Sequence, residues 1–292
     1  MDLIEYLRLA RELTASTDIK DLMVSAKYLQ SEMEPAVETG NTLPIQNSTS
    51  ASWMNVRDVS GFLPTVKLRH PTKGTVPFKT WPYQDTLSKL VDESDKPLIL
   101  LNMARQMGCS TTLSAVAFYR AITRPNNTIL LVGNNFASAL SSMDILKFMI
   151  ETCELPIPYV TEFNKSIVSF NNGSRILARA ASKDCTRGLS LNMLIIQEAA
   201  FIPWAKDKEF WESIQPQMAQ GCQVVMASTP NYTKGIFYEL WSKKSQAIDA
   251  IHHKVIWSDN PTRDEAWADS HRKQFGEERF KQEFEGKFRE AD

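Results

Sequence analysis

The sequence predicts an α/β protein of three layers, a mainly parallel sheet covered by helices on both faces. Three observations predict it. Short apolar runs rich in β-branched residues or leucine recur between residues 98 and 227. Longer stretches with helical spacing separate them. The runs are continuously apolar rather than alternating, as strands shielded from water on both faces require.

Taken in order, residues 1–38 place Leu3, Tyr6, Leu7 and Leu9, then Leu22, Met23, Ala26 and Leu29, at helical spacing. Two helices are expected there, the second opening after Ser16-Thr17-Asp18. Residues 39–77 are rich in Gly, Asn, Ser, Thr and Pro without a sustained period, which reads as a connector with short strands around 62–68. Strands follow at 98–102, 128–132, 166–170, 175–178, 194–196 and 223–227, with helices at 83–92, 110–123, 136–151 and 204–218. The stretch 167–177, split by Asn171-Asn172-Gly173, reads as an antiparallel hairpin. Beyond Lys234 the pattern is helical again, apart from a short strand at 253–257. No internal repeat or low-complexity tract interrupts it.

Composition excludes several classes of function. The chain has 292 residues, 43% hydrophobic and 23% charged, so disorder is not its theme. Thirty-three Lys and Arg balance thirty-four Asp and Glu, so nothing holds this chain to nucleic acid by bulk charge; any such contact is local. Apolar runs fall far short of the roughly 20 residues of a membrane span, and the acidic opening Met1-Asp2-Leu3-Ile4-Glu5 is no export leader. The expectation is a soluble protein of a reducing interior. Cys109, Cys153, Cys185 and Cys222 are too scattered for a zinc site or a disulfide framework.

Four stretches carry candidate chemistry. Residues 98–112 form a buried strand, a turn at Gly108 and hydroxyl residues opening a helix, the architecture that turns backbone N–H groups toward a phosphate. Against G-x-x-x-x-G-K-[ST], Gly108 and Ser110 match, Met103 stands at the first glycine and Cys109 at the lysine. A strand-turn-helix with one glycine also occurs in any α/β protein. Residues 192–201 form an apolar strand ending in Gln197-Glu198, where a carboxylate suits a general base; a lone strand-end carboxylate is otherwise a solvated loop residue. Residues 224–231 end in Ser228-Thr229-Pro230, hydroxyls able to sense a phosphate or to make an ordinary turn. Trp81-Pro82-Tyr83-Gln84 offers an amide able to read an adenine edge, or a packed helix start.

As an ordered set, Pro82-Tyr83-Gln84, the loop 104–108, Thr186-Arg187-Gly188, the run 195–202 and Ser228-Thr229-Pro230-Asn231 resemble the large terminase subunit of tailed bacteriophages. The stretch 257–267 with Phe280 to Phe284 resembles the end of that family's ATPase region. The resemblance runs from about residue 78 to the C-terminus. It implies a P-loop NTPase of the RecA-like (ASCE) type with a small helical lid: residues 1–60 an N-terminal helical part of the lid, 61–242 the ATPase core, and 243–292 the C-terminal helical part leading toward a nuclease domain that this chain lacks.

Carried over by position, the resemblance implies a nucleotide site of Tyr83, Gln84, Arg105, Gln106, Met107, Gly108, Cys109, Ser110 and Thr111. Gln84 would read adenine. Glu198 and Arg105 would be catalytic, Ser110 and Glu198 would hold Mg²⁺ with Gln197 at the usual aspartate position, and Ser228 and Thr229 would couple hydrolysis to movement. Arg187-Gly188 fits a turn where glycine allows a backbone angle other residues resist. Two departures matter: Cys109 replaces a lysine and Gln197 an aspartate, so one charge of each sign is absent. Arg105 is the available cation. ATP binding is therefore expected, with hydrolysis weakened or dependent on neighbouring subunits. Cys109 itself reads as an inert small residue, although a helix N-terminus is able to lower a thiol pKa.

The resemblance further implies double-stranded DNA, a portal protein and a small terminase subunit as partners, a pentameric ring on a procapsid, the host cytoplasm as location, and no membrane. Lys165, Arg175 and Arg179 are candidate DNA contacts, although a basic hairpin edge is also a device against aggregation. Two rivals stand beside the motor: a helicase-like ATPase, disfavoured by the single core, and a degenerate terminase-like domain kept for docking to portal or DNA.

Overall fold

The computed structural model describes residues 53–242 and 249–290. The two expected N-terminal helices, and with them most of the expected 1–60 segment, lie outside the described residues.

A short helix α1 (Val59–Phe62), capped by the Asp58 carboxylate accepting from Gly61 N at 2.9 Å, precedes a two-stranded hairpin of β1 (Lys67–His70) and β2 (Gly74–Pro77). The strands expected around 62–68 are thus corrected. Phe62 is a buried helical residue, and the strand pair begins at Lys67, because the Asp58 cap starts a helix that the connector-like composition conceals.

The body follows as α2 (Pro82–Glu93), β3 (Leu98–Met103), α3 (Cys109–Thr123), β4 (Thr128–Gly133), α4 (Phe136–Thr152), β5 (Val160–Phe163), β6 (Ile167–Phe170), β7 (Arg175–Ala180), β8 (Met193–Gln197), α5 (Trp204–Ala219), β9 (Gln223–Ser228), α6 (Ile236–Ser242), β10 (Ala250–Val255), α7 (Glu265–Phe275) and α8 (Glu277–Glu285). Eight strands make one sheet in the order β10-β3-β9-β8-β4-β7-β6-β5. The first six are parallel; β6 and β5 are antiparallel additions, and Asn171-Asn172-Gly173 turns β6 into β7 as expected.

Every residue of β3, β4, β8 and β9 is buried, and the two-residue period of a strand divides them between two cores. Ile99, Leu101, Ile129, Leu131, Ile195 and Val225 meet α2, α3 and α4 on one face. Leu98, Leu100, Leu130, Leu194, Ile196 and Val224 meet α5 and α6 on the other. This is the predicted three-layer fold. An ion-pair knot ties α2 to α3: Asp92 Oδ1 accepts from Arg120 Nε at 2.9 Å and from Arg124 at 2.8 Å, with Arg120 also capping the Val91 and Asp92 carbonyls.

The strand expected at 253–257 runs instead from Ala250 to Val255 and is an edge of the large sheet, paired along its length with β3. The sheet therefore extends past residue 242, where the core was expected to end. The signal is weak because Ala250-Ile251-His252-His253-Lys254-Val255 mixes polar and apolar residues, as an edge strand does. Beyond it, α7 and α8 pack through Trp257, Ala268, Phe280 and Phe284 into a separate small core.

Candidate functional site

Parallel strands deliver their C-terminal ends to one edge of a sheet. Here β9 lies between β3 and β8, with Ser228 opposite Asn102 and Ala227 opposite Gln197, so the three chemically suggestive strand ends are side by side. Together they border a cleft of about 400 Å³ lined by the loop from Met103 to Thr111 and by Asn134, Gln197, Glu198, Phe201, Ala227, Ser228 and Thr229.

The loop is held from outside. Its carbonyls are taken by side chains: Arg263 donates to those of Arg105 and Gln106, and Tyr83 Oη (3.0 Å) and Gln84 Nε2 (3.2 Å) donate to Met107. Arg105 N donates to the Glu283 carbonyl at 2.7 Å. Gln106 (φ 60°) and Gly108 (φ 70°) adopt left-handed backbone, and Gly108 caps α3 without any side chain serving that end. A Cβ at Gly108 would lie 2.5 Å from Gln84 Nε2, so glycine is required twice over. The first N–H groups of α3 have no intrahelical partner, which makes this helix start an anion-binding surface on the cleft wall.

Tyr83 and Gln84 are not among the residues lining the cleft. Gln84 is buried with both ends of its amide engaged, Oε1 accepting from Trp81 N at 2.9 Å and Nε2 donating to Met107. Burial pushes the Tyr83 phenol up to about 12, so it stays a donor. Both residues brace the loop, with one lone pair of the Gln84 amide oxygen and one of its two N–H groups engaged.

Arg105 lines the cleft, yet its guanidinium is forked onto the Glu283 carboxylate, Nε to Oε2 at 2.6 Å and the second nitrogen to Oε1 at 3.3 Å. That hydrogen bond raises its pKa further above the ordinary guanidinium value. Desolvation pushes the Cys109 thiol up to about 12, the direction of the inert small residue expected there and not of a thiol activated by the helix start.

Glu198 ends β8 in left-handed backbone (φ 55°), and its Oε2 accepts from Ser138 Oγ on α4 at 3.2 Å. Gln197 beside it is buried; Ser142 Oγ donates to its Oε1 at 2.9 Å, while Nε2 has no partner. Ser228 Oγ accepts from Ala200 N at 3.1 Å and Asn231 donates to the Ala200 carbonyl, so the end of β9 grips the turn after Glu198. The C-terminal segment closes the circuit: Gln282 donates to Pro230, and Arg289 N and O pair with Asn231 O and Thr233 N.

Mg²⁺ is tested by the same groups. Ser110 and Glu198 line the cleft and suit it. The end of β8 supplies no carboxylate but the neutral Gln197 amide, whose oxygen accepts from Ser142 Oγ. Among the described residues no group of three or more His, Cys, Asp or Glu is placed to hold a metal.

Sequence reasoning missed Asn134, Phe201, Ser138, Ser142, Glu283 and Arg263. Asn134 had a signal, since it follows an apolar strand as Gln197 and Ser228 do. Ser138, Ser142, Glu283 and Arg263 act across 55 residues or more of chain and have none, while Phe201 lies within the stretch 192–201 already singled out. The candidate DNA contacts do not line the cleft; Arg179 donates to the Cys185 carbonyl and Arg175 faces Thr128. Gly188 has the expected left-handed angle, φ 76°.

A mainly parallel sheet in this order, with an uncapped helix start, a carboxylate and hydroxyls at neighbouring strand ends around one cleft, defines a RecA-like α/β domain. Residues 100–292 match the family model for the terminase large subunit, T4-like-virus type, N-terminal part, and the chain belongs to that family. The fold is similar to the HK97 bacteriophage large terminase (15% identity, TM-score 0.62, 79% of this chain and 54% of that one). It is also similar to a point mutant of the Thermus phage P74-26 large terminase ATPase domain (19%, 0.57, 72% and 95%). A third likeness is the large terminase of a thermophilic bacteriophage in complex with ADP (13%, 0.59, 72% and 54%). The chain thus spans about half the length of the two whole terminases. Among the described residues no helix is long and apolar enough to cross a membrane.

Proposed function

We propose that this chain is the ATPase motor part of a viral terminase, using ATP to drive double-stranded DNA through a portal into a procapsid. The observation that supports it is the convergence of Ser110, Glu198 and Thr229 on one cleft, at the strand ends where open α/β sheets take their ligands. In this reading the loop 105–111 and the start of α3 hold the triphosphate. Arg105 leaves Glu283 to bind phosphate oxygens, and Glu198, oriented by Ser138, takes the proton of the attacking water. Ser228 and Thr229 transmit loss of the terminal phosphate through Ala200 and the C-terminal segment to the helices after β10. The working assembly is a pentameric ring on the portal in the host cytoplasm, loaded with DNA by a small terminase subunit.

A second reading, a degenerate domain that docks to portal or DNA, is favoured by a specific observation: the loop's arginine is paired, and neither Cys109 nor Gln197 carries charge. Steady-state ATP turnover with DNA and procapsids separates the two. Turnover that is stimulated by these partners and abolished by Glu198→Gln supports the motor, and its absence supports the docking domain.

A further inference from the structure

Three consecutive carbonyls of the loop, those of Arg105, Gln106 and Met107, accept from Arg263, Tyr83 and Gln84, none of which lines the cleft. A trans peptide is planar, with its carbonyl and N–H pointing in opposite directions, and no peptide among the described residues is cis. The N–H groups of Gln106, Met107 and Gly108 are therefore turned away from those donors, toward the side on which the loop borders the cleft. Among the described residues none of the three donates to a protein acceptor. Gln106 and Gly108, both left-handed, flank Met107, and successive N–H groups in such a turn form a concave seat for an anion that continues into the start of α3.

Glycine takes the left-handed angle freely, but Gln106 carries a side chain and holds that angle only because its surroundings impose it. Arg263 imposes it. Its Nη1 and Nη2 both donate to the Arg105 carbonyl at 3.3 Å, and Nη2 donates to the Gln106 carbonyl at 3.1 Å. These carbonyls belong to the two peptide units that meet at Gln106, so one planar fork fixes the rotation of each about that residue. The fork is held in turn, with the guanidinium carbon 4.5 Å over the Trp267 ring. Burial pulls the Arg263 pKa below the ordinary guanidinium value, and among the described residues no carboxylate pairs with it.

We propose that Arg263 is the positioning residue of this anion seat: bound to both peptide units at Gln106, it keeps that residue left-handed and three N–H groups turned toward the phosphate chain of a nucleotide. The inference rests on the cleft being a nucleotide site. A residue that merely tied the C-terminal segment to the loop would act on stability, whatever the backbone preference at 106. The test is a cycle between Arg263→Ala and Gln106→Gly, read by calorimetric titration of the 292-residue chain with ATP in MgCl₂, with the thermal transition of each protein recorded alongside. Arg263→Ala is expected to weaken ATP binding by about tenfold, the scale of the left-handed cost to a non-glycine residue. Glycine adopts the angle unaided, so in the Gln106→Gly background the same substitution is expected to cost less than about threefold. Arg263→Lys keeps a charge without the fork; it is expected to lose about threefold, recovered in the Gln106→Gly background, and reads the same cycle if the alanine variant fails to fold. An equal loss in both backgrounds, or no loss in either, overturns the inference and leaves the nucleotide site standing. An unaltered chain that binds no ATP, with its thermal transition intact, overturns the nucleotide reading and the inference with it.

Discussion

Arg105 and Glu283 meet in a forked ion pair 178 residues apart in sequence, joining the loop beside the cleft to helix α8. The same stretch of α8 receives Arg105 N on the Glu283 carbonyl and sends Gln282 to Pro230 at the end of β9. A ligand that recruits the guanidinium must first take it from a carboxylate that is itself only 12% exposed. Glu283→Gln is therefore expected to tighten ATP binding by about two- to fivefold, the scale of a partly exposed pair. Arg105→Ala should weaken it, and the double variant should match Arg105→Ala alone, since the carboxylate acts through the arginine. Titration calorimetry on the four proteins closes this cycle.

Gly108 is constrained by its own backbone angle and by Gln84 behind it. Gly108→Ala would push Gln84 off Met107 and twist the start of α3, costing about 1–2 kcal/mol of stability and more than tenfold in ATP affinity. Urea unfolding and nucleotide titration read the two effects separately. Gly221→Ala, also at positive φ (92°) but with open space around it, should lower stability while leaving ATP affinity as it is.

Cys109 offers a pH test. With the thiol raised from 9.0 to about 12, its thiolate fraction at pH 8 is about a thousandfold below that of an ordinary cysteine. Alkylation by iodoacetamide should accordingly be slow at pH 8 and rise about tenfold per pH unit up to pH 10. Mass spectrometry of the Cys109 peptide measures it. A rate at pH 8 equal to that of free cysteine would mean that the helix start, and not burial, governs this thiol.

Asp92 tests what holds α2 beside the loop. Two arginines converge on this buried carboxylate, and Asp92→Ala leaves Arg120, itself buried, without its ionic partner. A loss of about 3–5 kcal/mol is expected in urea unfolding. Replacing Arg120 and Asp92 together by Met and Leu should cost much less, because the uncompensated buried charge goes with its partner.

What was legible in the sequence follows from which forces are local. Strands β3, β4, β8 and β9 announced themselves because a strand buried on both faces is apolar along most of its length, with its polar residues toward the ends, and their common direction in the sheet then brought Ser110, Glu198 and Ser228 to one edge. The edge strand β10 was misplaced because half of it faces water, and α1 was hidden because a four-residue helix shows no period. Gln84 illustrates the limit within the site. Its position before the loop was readable, but its commitment to Trp81 and Met107 depends on how α2 packs, which no local pattern encodes. Glu283 lay inside the stretch 280–284 that carried the resemblance, but its pairing had no signal, since that lies wholly in the distant arginine it holds.

The two missing charges can be put back, and the order of restoration discriminates the two proposed functions. Cys109→Lys places an ammonium at the start of α3, where a phosphate would accept from it. ATP affinity should rise about tenfold or more, the scale of a charge-assisted hydrogen bond. Gln197→Asp alone gains little turnover, because a carboxylate added beside Glu198 without a matching cation crowds negative charge around the cleft. Combined, the two substitutions act on opposite sides of one ligand, and their effect on kcat should exceed the product of the single effects, as residues working as a unit are not additive. Glu198→Gln in the doubly restored protein should remove that gain, since the added charges bind and orient while Glu198 moves the proton. If the double variant binds ATP more tightly yet turns over no faster than the unaltered chain, the catalytic arrangement itself has been lost, and the docking domain is the better account.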